Sequence, residues 1–501
     1  MSSFWLNSIK NQSKFTKIDG NYECDICIIG AGLTGLTCGY YLSRIGFNVI
    51  IVEKDEIGEK VSGNTTGKIT YQHNLIYNYL INSYGEKFAK AYLNANKDAI
   101  KNIKKIIDTE NIDCDFEYQS NYIYTTNQSD LTKIHDEIKA LQSLGESCKF
   151  ATTCGLPFKI AGALENENQA QFNPSKYIEG LSKSILKNGS LIFTHSTVSD
   201  FEKIGENYVT YVDNFEIKSS NIVVATHYPI KKITGFYFAK MYQSTSYVIA
   251  VDTHSKLFDG MYINPTEPTY SFRTAKYQDK NLLILVGSNH KTGFAPEDEN
   301  TYKVLENIAK KHYPNSEILY RWNTRDCISL DKIPYIGQYS SSLPGVYVAT
   351  GFNKWGITSS NIAASIITDE ILETENKYAF VFNSLRFKPL KNRTELKNMT
   401  EQVFKSFVTN PIKIPEEDLS QVQNDNGAII KIDGKDIGIY KDPSGKIYAL
   451  KPHCTHLGCL LTWNNLDKTW DCPCHGSRFD YMGKNMYDPA FKNLEQVQLT
   501  E

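Results

Sequence analysis

At 501 residues the chain is too long for one ordinary core, so two or three domains are expected. Hydrophobic residues make up 41% and charged residues 22%, and no run approaches the roughly 20 apolar residues of a membrane span, which excludes a membrane-spanning class. A net charge of -2, with both signs interspersed, supplies no concentrated positive field, so nucleic acid is not expected as a partner.

The amino terminus, Met1-Ser2-Ser3-Phe4-Trp5 followed by polar and basic residues, lacks the apolar stretch of a secretory signal, and a cytoplasmic protein is expected. Asp25-Ile26-Cys27-Ile28-Ile29 reads as a buried parallel strand. The turn Gly30-Ala31-Gly32-Leu33-Thr34-Gly35 opens a helix from Leu33 to Arg44, and a second strand runs from Asn48 to Val52 and ends at Glu53. In that βαβ context Gly30, Gly32 and Gly35 allow a tight turn and close approach of a pyrophosphate to the helix N-terminus, while Glu53 can accept from ribose hydroxyls, so a dinucleotide is expected there. Cys24 and Cys27 form a Cys-x-x-Cys string, but residues three apart on a strand face opposite sides, and packing is the reading taken.

Helical patterns follow over about Glu86 to Thr109 and Gln128 to Leu144, with Pro174 at N1 of a helix ending near Lys187. Strand-like runs are Asn221 to Ala225, Thr245 to Val251, Leu282 to Val286 and Val346 to Thr350, before a last helix from about Thr358 to Glu373. From Asn376 the pattern dissolves into polar and basic residues with Pro389, Pro411 and Pro415, read as a linker with room for one helix. Short strands with turns at Asp433-Gly434 and Asp442-Pro443-Ser444-Gly445 give the tail an all-β signature, and no repeat is visible.

Of the 11 cysteines, Cys454, Cys459, Cys472 and Cys474 crowd together near the tail. Cys454-Thr455-His456-Leu457-Gly458-Cys459 and Cys472-Pro473-Cys474-His475-Gly476-Ser477 each offer one Cys and one His at short spacing, plus a further Cys. Two thiolates on one iron and two imidazoles on the other make a Rieske-type [2Fe-2S] centre, with Cys454, His456, Cys472 and His475 as ligands. A structural zinc site is the competing reading, although zinc pairs usually keep two to four residues between cysteines and three to five between histidines.

Over roughly its last 90 residues the chain resembles the Rieske domains of respiratory cytochrome complexes. That resemblance implies a loop-bridging disulfide between Cys459 and Cys474, and two hydroxyl donors to the cluster. Ser477 matches the first donor; Phe479 stands at the second position and cannot donate. Loss of a donor implies a potential below those of the respiratory proteins, inside the family span of about -150 to +300 mV.

Residues 22 to 375 resemble the D-amino-acid oxidase and glycine oxidase superfamily, which implies FAD. The matching stretches are Ser62-Gly63-Asn64-Thr65-Thr66-Gly67-Lys68, then Val198, Ala225 and Thr226, then Asp331-Lys332-Ile333-Pro334-Tyr335-Ile336-Gly337, and Gly351-Phe352-Asn353-Lys354-Trp355-Gly356-Ile357-Thr358. The FAD contacts implied are Thr65, Thr66, Val198, Ala225, Thr226, Gly337, Gly351, Gly356, Ile357 and Thr358, with the last helix directing its positive end at the flavin. The order of the whole chain matches a bacterial group in which such a flavin domain is fused to a Rieske domain.

The expected fold is therefore α/β, a Rossmann-like FAD-binding domain with an α+β substrate domain, followed by a small all-β Rieske domain. Its divisions are residues 1–375 (FAD-binding parts 22–70, 165–234 and 331–375; substrate parts 71–164 and 235–330), a linker over 376–411, and 412–501. Relatives clamp a substrate carboxylate with an arginine, and Arg273 is the first choice, with His290 and Lys354 as further catalytic candidates and Arg321, Arg325 and Gln72-His73 as other polar groups. The expected function is oxidation of a small organic molecule, an amine or amino acid, with electrons passed singly through the cluster to an unidentified one-electron partner, as a dehydrogenase rather than an oxidase. The alternative is an electron-transfer protein that shuttles between partner proteins. No two-His-one-carboxylate iron site supports a Rieske oxygenase.

Overall fold

The structure is a computed structural model that describes residues 3–7, 15–231, 233–294, 301–386, 419 and 422–499. Its first sheet is built on the expected βαβ unit. Tyr22–Ile29 lies between Phe215–Val224 and Val49–Val52, parallel to both, and the sheet continues to Leu191–Phe193 on one side and to Val346–Thr350 and Tyr335–Gln338 on the other. Residues Ile26 to Ile29 and Val49 to Val52 are all buried, because helices cover one face of the sheet while the hairpin Val198–Ile204 and Asn207–Val212, through Val198, Phe201, Tyr208 and Val212, covers the other. The helices Leu33–Arg44 and Gly356–Ile371 pack against each other on one face. Helix Pro174–Lys187 begins where the sequence places it. Asn173 caps it, its Oδ1 accepting from Ser175 N (3.1 Å) and Lys176 N (3.2 Å), and Pro174 fills N1.

The second sheet is mixed and holds, in spatial order, Glu317–Ser329, Met241–Asp252, Lys280–Lys291, Ser271–Tyr277, Met261–Ile263, Glu117–Thr125, Gly162–Gln171 and Lys68–Ile69, with Lys149–Ala151 beside Gly162–Gln171. It stands over the C-terminal edge of the first sheet and roofs a cavity. Two strands there, Met241–Asp252 and Lys280–Lys291, outrun their expected spans of Thr245 to Val251 and Leu282 to Val286. Met241–Asp252 starts four residues before the expected Thr245, with Gln243, Ser244, Thr245 and Ser246 all buried, so its polar half gave no hydrophobic signal.

Two segments read as loose from the sequence are packed. Phe4 and Trp5 of the polar arm are buried among Val248, Ala250, Leu282, Ile284 and Trp322, and Trp5 Nε1 donates to Thr65 O at 2.8 Å. Residues 376–386, the start of the expected linker, lie on the first sheet's flank. Val381 and Phe382 are buried, and Arg386 forms a two-pronged pair with Asp331 (2.7 and 3.0 Å). The rest of the linker, 387–411, lies outside the described residues.

The tail is all-β: a three-stranded sheet of Asn426–Ile432, Lys435–Lys441 and Ile447–Leu450, and a four-stranded sheet of Thr462–Asn464, Thr469–Asp471, Arg478–Asp480 and Asn485–Tyr487. Among the described residues no helix is long and apolar enough to cross a membrane.

Candidate functional site: a dinucleotide cavity and a paired Cys/His loop centre

The glycine turn folds as it does because two positions admit no side chain. Gly30 has φ +104°, and a Cβ there would sit 2.8 Å from Ala225 O; a Cβ on Gly35 would sit 1.9 Å from Gly30 O. Gly32 leads into the helix, and Leu33 N is capped by Ser62 Oγ at 2.9 Å. Glu53 accepts from Ala31 N (2.8 Å) and Asp55 N (3.0 Å); burial pushes its carboxyl above its ordinary value.

From this turn one cavity extends under the second sheet. Gly30, Gly32, Glu53, Thr65, Thr66, Val198, Ala225, Thr226, Gly351, Gly356 and Ile357 line it together. The helix Gly356–Ile371 presents its N-terminal end to the cavity, with Lys354, Trp355, Gly356 and Ile357 on the wall. A strand-turn-helix cradle, an acid at the end of the second strand and a facing helix N-terminus fit a dinucleotide. Three expected contacts lie elsewhere. Gly35 acts by packing the helix on the strand, Gly337 faces Glu370 with its missing Cβ 2.8 Å from the carboxylate, and Thr358 is buried with Oγ1 3.4 Å from His73 Nε2.

The expected substrate residues divide in the same way. Lys354 lines the cavity and donates to Ser246 Oγ at 3.1 Å, and desolvation lowers its ammonium from its ordinary value. Arg273 does not reach the cavity wall. Its guanidinium is buried against Trp5 and donates to Thr274 O (2.9 Å) and Thr66 O (2.6 Å), so it braces the Thr65–Thr66 segment and is not free to clamp a carboxylate. His290 is absent from the cavity wall as well; its ring stands 5.7 Å from Tyr247, on the side that meets the tail domain. Arg321 is paired with Glu306, Gln72 is tied to Glu137 and Asn166, and His73 stacks on Trp355. Sequence reasoning missed Asp326, on the cavity wall, whose carboxyl is pushed up to about 6 by burial and drawn back by Lys354. Only strand register marks it, since it lies opposite Ser244 in the pairing of Glu317–Ser329 with Met241–Asp252.

The tail closes the cavity. Met486, Tyr487, Asp488 and Phe491 lie on its wall; Gln243 Nε2 donates to Asp488 O (3.0 Å), Lys54 pairs with Asp488 (3.2 Å), and the Arg325 guanidinium lies 3.3 Å from the Tyr487 ring centre. Below this contact sit the two Cys/His loops, closed by the same hydrogen bonds: Gly458 N to Cys454 O and Gly476 N to Cys472 O (both 2.9 Å), Cys454 N to Cys459 O and Cys472 N to Ser477 O (both 2.8 Å). Cys459 and Cys474 are joined in a disulfide, with Cys472 Sγ packed beside them, so these two sulfurs are not available as ligands. The Cys454 and Cys472 side chains hydrogen bond to each other, and the His456 and His475 rings stand 5.0 Å apart at 90°. His475 Nδ1 is buried without a hydrogen-bond partner among the described residues. Two buried thiols beside two buried imidazoles, one with an unmade bond, fit a two-iron cluster with mixed ligation.

Ser477 Oγ accepts from Ala490 N at 3.0 Å and reaches the Cys454 side chain, whereas Phe479 is fully buried against Trp470. Phe479→Tyr is expected to raise the cluster potential, read by a titration followed by electron paramagnetic resonance; an unchanged or lower value refutes the donor argument. Beneath the second loop Arg478, fully buried, bonds Asp471 twice (2.6 Å each) and Asp467 once (2.9 Å), and Asn323 donates to Asp467 at 3.1 Å from the neighbouring domain. Burial alone would raise the Asp471 carboxyl, but Arg478 holds it below its ordinary value. A depressed folded pKa stabilises above the unfolded value of about 3.9 and is lost as pH falls through the folded one. The tail is therefore expected to loosen only below about pH 3.9, seen as loss of the cluster's visible circular dichroism, and Asp471→Asn should flatten that acid limb.

Residues 25–370 match the family described as FAD dependent oxidoreductase, and residues 413–498 match the Rieske [2Fe-2S] domain. A Bacillus subtilis (strain 168) protein named as a Rieske 2Fe-2S iron-sulfur protein, YhfW, is 34% identical over 497 residues, which is 99% of this chain and 97% of that protein. The gamma-glutamylputrescine oxidoreductase of Escherichia coli (strain K12) is 20% identical over 384 residues, 74% of this chain and 88% of that one. Among solved structures, glycine oxidase from Geobacillus kaustophilus superposes with a TM-score of 0.63 at 16% identity, covering 74% of this chain and all of that one, a likeness of fold.

Proposed function

The chain belongs to the FAD dependent oxidoreductase family and carries a Rieske [2Fe-2S] domain behind it, and on that premise we propose that it oxidises a small amine or amino acid and passes the electrons singly to an outside acceptor. Bound FAD takes two electrons from an organic substrate and the cluster carries one at a time, so the pair of cofactors converts a two-electron oxidation into one-electron delivery. The observation that carries the reading is that Lys354 and Asp326 both stand on the wall of a cavity that both domains line, since a protein that only relays electrons needs no cation and carboxyl facing its flavin. The oxidoreductase from Escherichia coli, whose name specifies a polyamine derivative, supports an amine as the substrate class.

In this reading Gly30, Gly32 and Glu53 bind the dinucleotide, and Cys454, His456, Cys472 and His475 hold the cluster. Lys354 holds a substrate carboxylate, and Asp326 accepts the proton that an amine must shed before oxidation. Tyr487, Asp488 and Phe491 screen the cavity from water. The divisions 1–375, 376–411 and 412–501 belong to the same proposal, as does dehydrogenase behaviour, because a cluster fixed beside the cavity competes with oxygen for each electron.

Anaerobic mixing of the holoenzyme with a panel of amines and amino acids tests it. Flavin bleaching followed by the signal of a reduced cluster is the expected result. Reduction by protein donors alone, with every small molecule inert, would overturn the proposal in favour of a shuttle between proteins.

A further inference from the structure

The contact between the two domains contains a residue whose position packing alone does not explain. Thr226 and His227 line the cavity, and the next residue, Tyr228, is 2% exposed with its ring edge-on to that of His456, centroids 6.3 Å apart at 76°. The backbone that delivers it is pinned. Tyr228 N donates to Thr226 O (2.6 Å), Thr226 Oγ1 donates to Tyr228 O (2.7 Å), and Thr350 Oγ1 donates to His227 O (2.5 Å). His227 takes the left-handed conformation, φ +64°, which is uncommon for a residue other than glycine.

At the end of this rigid arm the Tyr228 hydroxyl has no hydrogen-bond partner among the described residues. A phenol so deeply buried is expected to make its bond, and an orphan calls for an acceptor that the protein atoms do not provide. The loops themselves lack a hydroxyl at Phe479.

We infer that Tyr228, delivered from the flavin-binding domain to the side of His456, donates its hydroxyl hydrogen bond to a sulfur of the bound cluster, supplying across the domain contact what Phe479 cannot. A donor to sulfur favours the reduced, more negative cluster, so Tyr228 raises the potential, and it does so only while the two domains are docked. The expectation of a lowered potential counted donors on the loops alone. The inference rests on the bound cluster and not on any substrate, so dithionite and dyes suffice to test it.

In the Tyr228→Phe holoenzyme a dye-equilibrated titration is expected to show the cluster's reduction constant falling about tenfold, the effect of one hydrogen bond to a charged acceptor, or about 59 mV for a one-electron couple. Parent and variant curves that coincide, at equal iron and flavin content, overturn the inference. A second measurement leaves Tyr228 in place. Ser477→Ala removes the loop's own hydroxyl, and the reduced cluster should then keep a D2O-exchangeable proton coupling that disappears when Tyr228→Phe is added to it; identical spectra of the single and double variants overturn the inference as well.

Discussion

Cys472→Ala is expected to yield a protein without iron and without the resonance of a reduced Rieske cluster, yet still yellow with flavin. Cys472 is fully buried, its side chain hydrogen bonded to that of Cys454 and packed against the disulfide, which keeps Cys459 and Cys474 from replacing it. Loss of one thiolate leaves an iron three-coordinate in a closed site, which a cluster does not survive. The glycine cradle, Glu53 and the helix at Gly356 all lie within residues 25–370, so flavin binding should persist. Substrate should then bleach the flavin while delivery to a one-electron acceptor falls to the background of oxygen alone. Iron, flavin and zinc contents of parent and variant decide the matter. Zinc in place of iron in the parent would end the cluster reading, and a variant without flavin would mean that the tail domain, through Tyr487 and Phe491, is needed to hold the dinucleotide.

How far the sequence discloses this molecule depends on which interactions carry each part. The βαβ unit and the two loops are legible because their chemistry is local: Gly30, Gly35 and Glu53 lie within one supersecondary unit, and each Cys/His pair within six residues. The second sheet is far less legible. Gly162–Gln171 reads Gly-Ala-Leu-Glu-Asn-Glu-Asn-Gln-Ala-Gln, with no alternation of apolar residues, yet Asn166, Gln169 and Gln171 are all fully buried. Asn166 donates to Gln72 and Gln169 accepts from Tyr71 N, contacts some 95 positions away that no local pattern encodes. Arg273 shows the same limit. An arginine in a strand of the substrate part invites a carboxylate, but its acceptors are the backbone carbonyls of Thr66 and Thr274. Asp326 and Tyr228 were missed for the converse reason, since each gains its meaning from a partner on another element, Lys354 in one case and the Cys/His loops in the other.

Asp326 is expected to impose a trade between stability and rate. Its folded carboxyl titrates at about 6, against 3.8 for the ordinary group, because burial outweighs the pull of Lys354. Between those two values the unfolded chain ionises and the folded one does not, so stability declines as pH rises through that window and is level above it. Asp326→Asn carries no such penalty, and should melt higher than the parent at pH 8, by up to about 3 kcal/mol, with the difference vanishing below about pH 4. If the carboxylate takes the substrate's proton, the same variant should lose the limb near pH 6 in the rate of flavin reduction. Lys354→Met should slow that step by about 10²-fold, the usual consequence of removing one preorganised cation from a buried site, while leaving the cluster's resonance unchanged. A variant pair that reduces as fast as the parent at every pH would show that Lys354 and Asp326 serve only each other, and substrate would then have to be sought along Ser246, Asn289 and Thr324 on the same wall.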